Sequence, residues 1–504
     1  IYFSGFLSKP AGLLNYITAF VVQFFYIPLL GSILFAVIMS AVFLLNVFII
    51  KKITEKDDSF LFSLLPVIFL IVQYSFIEYP VNVVVGIVIN QLAFYLLLLL
   101  PRQTRIYLSY IFLIGLFYIS GFHSAIFLLY FVFYSILTKK IIHSVVPIML
   151  FIGLFFLSAY CYKVPLTSIA HAGNDGQSHN ILLFFLFILS FLPVLFLSKY
   201  YPKKKKSQII VTVNIVVICI LVAFYGINTR YNADTRTMLQ MGNAANNSQW
   251  DDVVQLSGNI KVENQLVCYL TNLALFHTGK LSEDMFRFPQ NFGRNSLYLP
   301  WKASIGLEYG DLVYAGLGYY NKAIRWASEP LTVNGETAPI LKKLIKYYRN
   351  NSTPEIAQMF VNILDESLFY SQIENASAAP GIQHDSTIPS LFSTDDDITN
   401  ELWYLCERQP QNRMAFEYFM ATLLLSNRVI DFADNIGRIR NFSYNKTPRS
   451  YEEALLIFQM VDPAKFLSLG IPISSDTQNR FAQYSQLFQA RDNNQLKRLF
   501  GDTY

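Results

Sequence analysis

Five ionisable side chains in the first half of the chain are candidates for chemistry. Glu78 and Asp175 are carboxylates that could serve as a catalytic acid or base, and His123, His171 and His179 are imidazoles that could contact a substrate. They fall in three separate segments, so they can act together only if the fold brings those segments to one place. The sequence alone leaves open whether the protein is an enzyme.

Two of these three groups also have a simpler interpretation. The segment "IAHAGNDGQSHN" spans residues 169–180. Its two histidines and Asp175 follow one another at intervals of four residues, as residues on one helix face do, but Gly173 and Gly176 disfavour a helix. Only a folded loop would let their nitrogen and oxygen atoms bind a divalent cation, and a solvated glycine-rich loop is the alternative. Glu78 is either a catalytic group or a carboxylate at the membrane interface.

Familiar catalytic motifs are absent from the sequence. It contains no GxSxG, Walker A, GxGxxG or HExxH pattern, and its four cysteines lack the CxxC spacing of zinc and redox sites. The long apolar segments carry amides such as Asn46, Asn90 and Gln91 where a transporter would carry charges. These amides predict hydrogen bonds between helices and disfavour an ion-driven transporter.

The composition predicts a membrane protein with two different halves. The 504-residue chain is 53% hydrophobic and only 14% charged, with a mean hydropathy of +0.37. Blocks of about 20 apolar residues, the length that crosses a bilayer, end at Ile227. We predict an all-α fold with eight membrane-spanning helices in residues 31–227 and a soluble domain in residues 228–504. The predicted spans are 31–50, 60–78, 81–100, 106–120, 122–137, 141–160, 181–198 and 209–225.

Positive charge alternates between the loops of the first half. Lysines and arginines follow the first, third, fifth and seventh spans, the last of these as the run "KKKK" at 203–206, and the other loops are almost free of cations. Because cytoplasmic loops are enriched in Lys and Arg, residues 228–504 are predicted to lie outside the cytoplasm. The net positive charge is therefore a signal of membrane topology and not of nucleic-acid binding.

The first 30 residues predict a helix that lies on the outer face of the membrane. Residues 11–26 are apolar, but they are few for a span and include Asn15, Thr18 and Gln23. An amphipathic helix at the interface suits this composition. On this interpretation one more spanning helix precedes Ile1.

Residues 228–504 alternate between amphipathic helices and polar turns. Leu266, Leu270 and Leu273 share one helical face, and such helix–turn–helix units recur at roughly 30–40 residues. The pattern resembles degenerate tetratricopeptide repeats without the full consensus, and an irregular helical domain is the alternative. The polar segment 375–400 predicts an exposed loop.

Three stretches carry a family resemblance. "PAGLL" at 10–14 with "QFFY" at 23–26, "NLALFHTGKLSEDMF" at 272–286 and "AFEYFMATLLL" at 415–425 resemble a family of uncharacterised Bacteroidota multi-pass membrane proteins. The likeness covers most of the chain. Ala11 departs from it, because glycine is expected there. The resemblance implies a bacterial inner-membrane protein with a periplasmic helical domain, and it implies no reaction.

Two hypotheses of function follow. In the first, the protein is an enzyme, because its layout is similar to that of membrane glycosyltransferases that use polyprenyl-phosphate-linked sugars. Residues 1–30 contain no carboxylate, so Glu78, Asp175 or a residue upstream would supply the base or hold a divalent cation. In the second, the protein is a non-catalytic scaffold, anchored in the lipid bilayer, whose helical repeats bind other envelope proteins.

Overall fold

The regular structure of the protein is helical. The computed structural model describes residues 2–8, 11–54, 63–75, 79–140, 142–170, 205–260, 262–301, 305–370, 398–491 and 493–504. Within these ranges no strand occurs, which confirms the all-α fold class there. The chain divides into two compact units, Ile1–Asn232 (unit 1) and Ala233–Tyr504 (unit 2).

Unit 1 is a bundle of apolar helices arranged around α5. Its helices are α1 (Tyr2–Leu7), α2 (Gly12–Gln23), α3 (Pro28–Thr54), α4 (Leu64–Tyr74), α5 (Val81–Leu99), α6 (Arg105–Ser120), α7 (Ala125–Leu137), α8 (Ile142–Tyr162), α9 (Leu166–Ala170) and α10 (Lys205–Arg230). Helix α5 packs against α2, α3, α6 and α7 and buries Val83, Phe94 and Leu97. Large apolar side chains such as Ile33 and Met149 point outward and are exposed, as lipid contact requires.

Four segments among the described residues are long and apolar enough to cross a membrane. They are Pro28–Ile53, Val81–Leu99, Arg105–Leu137 and Ile142–Tyr162. These segments coincide with five of the eight predicted spans, because Arg105–Leu137 contains both α6 and α7. Two more predicted spans fall on shorter apolar stretches, Leu64–Tyr74 and Cys219–Thr229, and the span predicted at 181–198 lies outside the described residues.

Helices α6 and α7 fold back on each other as a hairpin. Arg105, at the start of α6, donates through Nη1 to the hydroxyl of Tyr134, near the end of α7, at 2.8 Å. The chain reverses in the 3-10 turn Gly121–Ser124, where Gly121 has a φ of +56° that glycine adopts without strain. The two helices of the segment Arg105–Leu137 therefore run in opposite directions.

The helix predicted at residues 11–26 is present as α2 followed by the 3-10 turn Phe24–Tyr26. It packs on α5 and α6, with Leu14 fully buried. Ala11, just before α2, has a φ of +54°, in the left-handed region that favours glycine. It also lies close to the hairpin turn, since a Cβ added to Gly121 would be 2.9 Å from that of Ala11. The backbone thus explains why glycine suits position 11.

Replacing Ala11 by glycine is expected to stabilise the protein by about 0.5–1 kcal/mol, because the strain of the left-handed alanine is removed. Thermal unfolding in detergent micelles measures the effect. Ala41→Gly is the matched control: it lies inside α3, where glycine lowers stability by about 1 kcal/mol. A drop in stability for both variants would show that Ala11 is not strained.

Unit 2 is a succession of shorter helices. They are α11 (Ala233–Asn246), α12 (Trp250–Ser257), α13 (Gln265–His277), α14 (Leu281–Asp284), α15 (Asp311–Leu317), α16 (Tyr320–Asn334), α17 (Ala338–Asn350), α18 (Pro354–Asp365), α19 (Ile398–Arg408), α20 (Arg413–Leu425), α21 (Val429–Asn435), α22 (Arg449–Val461), α23 (Pro463–Leu469), α24 (Ser475–Gln489) and α25 (Asn493–Phe500). Most of them pack against the next helix along the chain.

Asparagine side chains cap two helices of unit 2, and the predicted face of one of these helices is buried. Asn264 accepts a hydrogen bond from the amide of Leu266 and caps α13, and Asn412 caps α20 in the same way. Leu270 and Leu273, on the predicted face of α13, are fully buried. Much of the segment 375–400, predicted to be a loop, lies outside the described residues.

Candidate functional site

One of the five predicted site residues can be placed in the structure. Glu78, His171, Asp175 and His179 lie outside the described residues. His123 lies in the 3-10 turn between α6 and α7 and is 4% exposed. The site is therefore built outward from His123.

The imidazole of His123 is held between a backbone carbonyl and a glycine. Its Nδ1 lies 3.3 Å from the carbonyl oxygen of Ser120. Because a carbonyl only accepts hydrogen bonds, Nδ1 carries the proton and Nε2 presents a lone pair. The ring packs on Gly86 of α5, where an added Cβ would lie 3.0 Å from His123 Cδ2. A side chain at position 86 would displace the ring.

Asn90 and Ser120 fix this contact between α5 and the hairpin. Asn90 Nδ2 donates to the carbonyl oxygen of Gly86 at 2.8 Å and to Ser120 Oγ at 3.2 Å. Ser120 therefore binds Asn90 through its hydroxyl group and His123 through its carbonyl group. Both Asn90 and Ser120 are fully buried.

Three buried acceptors at this place have no hydrogen-bond partner in the part of the chain that the structure describes. They are Asn82 Oδ1, Asn90 Oδ1 and His123 Nε2. Asn82, Gly86 and Asn90 are four residues apart on α5 and so share one helix face. His123 covers Gly86 in the middle of that face. We call Asn82, Gly86, Asn90, Ser120 and His123 the His123 cluster.

By the alternation of charged loops, the segments that hold Glu78, His123 and residues 169–180 are predicted to share the outer face, and described residues that flank them belong to elements in contact with one another. Tyr74 on α4 fixes the start of α5, because its hydroxyl donates to the carbonyl oxygen of Pro80 and accepts from the amide of Val84. Helix α5 begins shortly after Glu78 in the sequence, and α9 ends directly before His171. The turn Gly121–Ser124 is in contact with both helices.

A second polar network joins three helices of unit 1. Gln91 Nε2 donates to the Tyr130 hydroxyl at 3.0 Å and to Asn46 Oδ1 at 3.3 Å, and the Tyr130 hydroxyl donates to Asn46 Oδ1 at 3.0 Å. These side chains come from α5, α7 and α3, which confirms that the amides form hydrogen bonds between helices. Tyr130 is a member that the sequence did not reveal. The network binds the helices to one another.

The His123 cluster can accept hydrogen bonds and, through Nε2, can accept a proton. No group of three His, Cys, Asp or Glu side chains suited to a metal ion occurs in the described ranges. The divalent cation considered for residues 169–180 remains a prediction. Asn82 and Gly86 were not singled out from the sequence. Their four-residue spacing with Asn90 along α5 is the signal that identifies them.

Unit 2 has a polar cleft of about 470 Å³ beside a pair of stacked rings. The imidazole of His277 lies on the indole of Trp250, with ring centroids 4.1 Å apart and nearly parallel planes. Desolvation, followed by the charge of Lys346, lowers the pKa of His277 to about 4, although the residue as a whole is exposed. His277 is therefore neutral at pH 7 and packs on Trp250.

Comparisons with known proteins give a family and no closer relative. Neither the search of curated proteins nor that of solved structures finds a match to the chain. The sequence model of one family matches residues 1–504, which is the whole chain. This agrees with the uncharacterised family suggested by the resemblance of the sequence. The chain belongs to the family of unknown function DUF6057.

Proposed function

We propose that the protein transfers a sugar from a polyprenyl-phosphate carrier at the periplasmic face of the bacterial inner membrane. The observation that carries the proposal is the His123 cluster: a buried histidine with an unpartnered Nε2, at the contact between elements predicted to share the outer face. Buried polar atoms without a partner cost about 1–3 kcal/mol each, so a ligand that binds them is favoured.

The placement in the membrane rests on three kinds of support. Four described segments have the length and composition to cross a bilayer. The alternation of Lys and Arg between loops favours an outer location for the turn Gly121–Ser124 and for residues 228–504. The resemblance to Bacteroidota proteins favours an inner membrane, and hence a periplasmic location for unit 2.

In sugar transfer, the predicted carboxylates and histidines would have different roles. The oxygen of an acceptor hydroxyl attacks the anomeric carbon, the bond from that carbon to the carrier phosphate breaks, and the phosphate leaves with the bonding electrons. Glu78 or Asp175 takes the proton of the attacking hydroxyl. His123, His171 and His179 bind the substrate, and a divalent cation, if used, stabilises the charge on the departing phosphate.

Native mass spectrometry of the chain extracted gently from its own membrane tests this function. The wild-type protein is expected to carry a polyprenyl-phosphate lipid, and His123→Ala and Asn82→Leu are expected to lose it. Tyr130→Phe, which alters the separate network with Asn46, is the matched control and should keep the lipid. A wild-type protein without such a lipid, or lipid retained equally by all the variants, would contradict the proposal.

The scaffold is a second candidate, because the helices of unit 2 pack largely in sequence order, as helical repeats do. The end of α22 and the following α23 also expose Met460, Val461 and Leu467, which are 76%, 59% and 77% exposed. If unit 2 has tetratricopeptide-like repeats that recruit an envelope protein, the same spectra will show a stoichiometric protein partner. Met460→Asp with Leu467→Asp should release that partner, and His123→Ala should not.

A further inference from the structure

We infer that the His123 cluster binds the uncharged, hydroxyl-bearing part of its substrate, the sugar ring, and not the phosphate. The inference rests on the proposed function and makes its substrate contact specific. The inference has two grounds. The first is the direction of the hydrogen bonds that the cluster is still able to make, and the second is the charge of the helices around the cluster.

The unpartnered atoms of the cluster are all acceptors. Asn82, Asn90 and His123 are 7%, 0% and 4% exposed, so the oxygen or nitrogen that each leaves unpaired is shielded from bulk water. The His123 tautomer is fixed by Ser120, which keeps the lone pair on Nε2. A matching ligand must therefore supply donors, and sugar hydroxyl groups do so.

On the described residues of α5 and of the hairpin, a phosphate would find no cation beside the cluster. Helix α5 has no charged residue, and the nearest cation along the hairpin, Arg105, sits at its far end. There the guanidinium donates to the carbonyl oxygens of Leu98 and Leu100 and to the Tyr134 hydroxyl. An ionised phosphate has acceptor oxygens and would meet further acceptors in a buried, uncharged setting, which is strongly unfavourable.

The three unpartnered acceptors are spread along one face of α5. The two asparagines are eight residues apart, about 12 Å along the helix axis, and the imidazole lies between them on Gly86. A ring that carries several hydroxyl groups can reach more than one of these acceptors. A single hydroxyl group can reach only one, so the affinity is expected to fall when any acceptor is removed.

The test compares two small amphiphiles that differ only in their head group. The full chain in lipid nanodiscs, labelled with 15N-histidine, is titrated with octyl β-D-glucoside or with octyl phosphate. Titration with the glucoside should shift the Nε2 resonance of one of the six histidines until the shift saturates. That resonance should be absent from the spectrum of His123→Gln. Asn82→Leu should weaken glucoside binding at least tenfold, and Tyr130→Phe should leave it unchanged. Octyl phosphate should produce no saturable shift of the same resonance.

The outcomes separate this inference from the proposed function. A saturable shift with octyl phosphate, or none with the glucoside, overturns the inference, even if the protein co-purifies with a polyprenyl-phosphate lipid. Glucoside binding that depends on Asn82 supports the inference, even if no such lipid co-purifies and the transfer function fails. Thermal unfolding of each variant shows that lost binding is not lost folding.

Discussion

Replacing Lys343 by methionine is expected to lower the free energy of unfolding of unit 2 by about 3–5 kcal/mol. Asp311, the first residue of α15, is 1% exposed, and its Oδ1 lies 2.9 Å from Lys343 Nζ on α17. Its Oδ2 accepts from the hydroxyl of Tyr347. Without the lysine, a carboxylate stays buried with only a neutral partner. Burial and the charge of Asp311 raise the pKa of Tyr347, so the tyrosine stays neutral and remains a hydrogen-bond donor without charge.

The four tryptophans of the chain all lie in unit 2, so their fluorescence during chemical denaturation follows this unit. Arg428→Ala is the control, because Arg428 and Asp431 form an ion pair in which both side chains are 46% exposed, and its loss should cost less than about 1 kcal/mol. Lys343→Met combined with Asp311→Leu should recover much of the loss, since no unpaired charge remains. Equal effects of Lys343→Met and Arg428→Ala would show that the buried pair is not formed.

Replacing Gly310 by alanine is expected to destabilise unit 2 by about 3 kcal/mol. A Cβ at position 310 would lie 2.2 Å from Cζ3 of Trp326, a separation that side chains do not tolerate. Trp326 is 3% exposed and packs edge-on against Trp301, with ring centroids 4.6 Å apart, so its indole has no free space to enter. Helices α15 and α16 would have to move apart.

The same fluorescence experiment measures this effect, and Gly437→Ala provides the matched glycine. Gly437 has ordinary backbone angles, and no heavy atom lies within 4 Å of an added Cβ. Its replacement should change the free energy of unfolding by no more than about 1 kcal/mol, in the stabilising direction. If Gly310→Ala were as mild, the close packing of α15 on α16 would be wrong.

Local features of the fold were readable from the sequence. The apolar period of α13 identified Leu270 and Leu273 as buried, because a helical face follows from spacing alone. The predicted spans 106–120 and 122–137 also located the reversal between α6 and α7 at Gly121, where glycine permits the left-handed backbone of a tight turn. Such signals need only a few consecutive residues.

Contacts between distant residues were not readable. The pairing of Asp311 with Lys343 depends on how α15 and α17 are rotated towards each other, and the packing of His123 on Gly86 depends on where the hairpin meets α5. Single-sequence periodicity gives the face of each helix but not its partner. The candidate site was therefore predicted only as a set of loops, and Asn82 emerged from the structure.

Photo-crosslinking with a polyprenyl-phosphate sugar that carries a diazirine on the sugar ring tests the central claim most directly. The chain in nanodiscs is irradiated with this lipid, digested and mapped by mass spectrometry. We predict labels in the first half of α5, around Asn82 and Asn90, or in the turn Gly121–Ser124, and their loss in His123→Ala. A label confined to unit 2, or a label in unit 1 that is unchanged in His123→Ala, would contradict the assignment of the sugar to the His123 cluster.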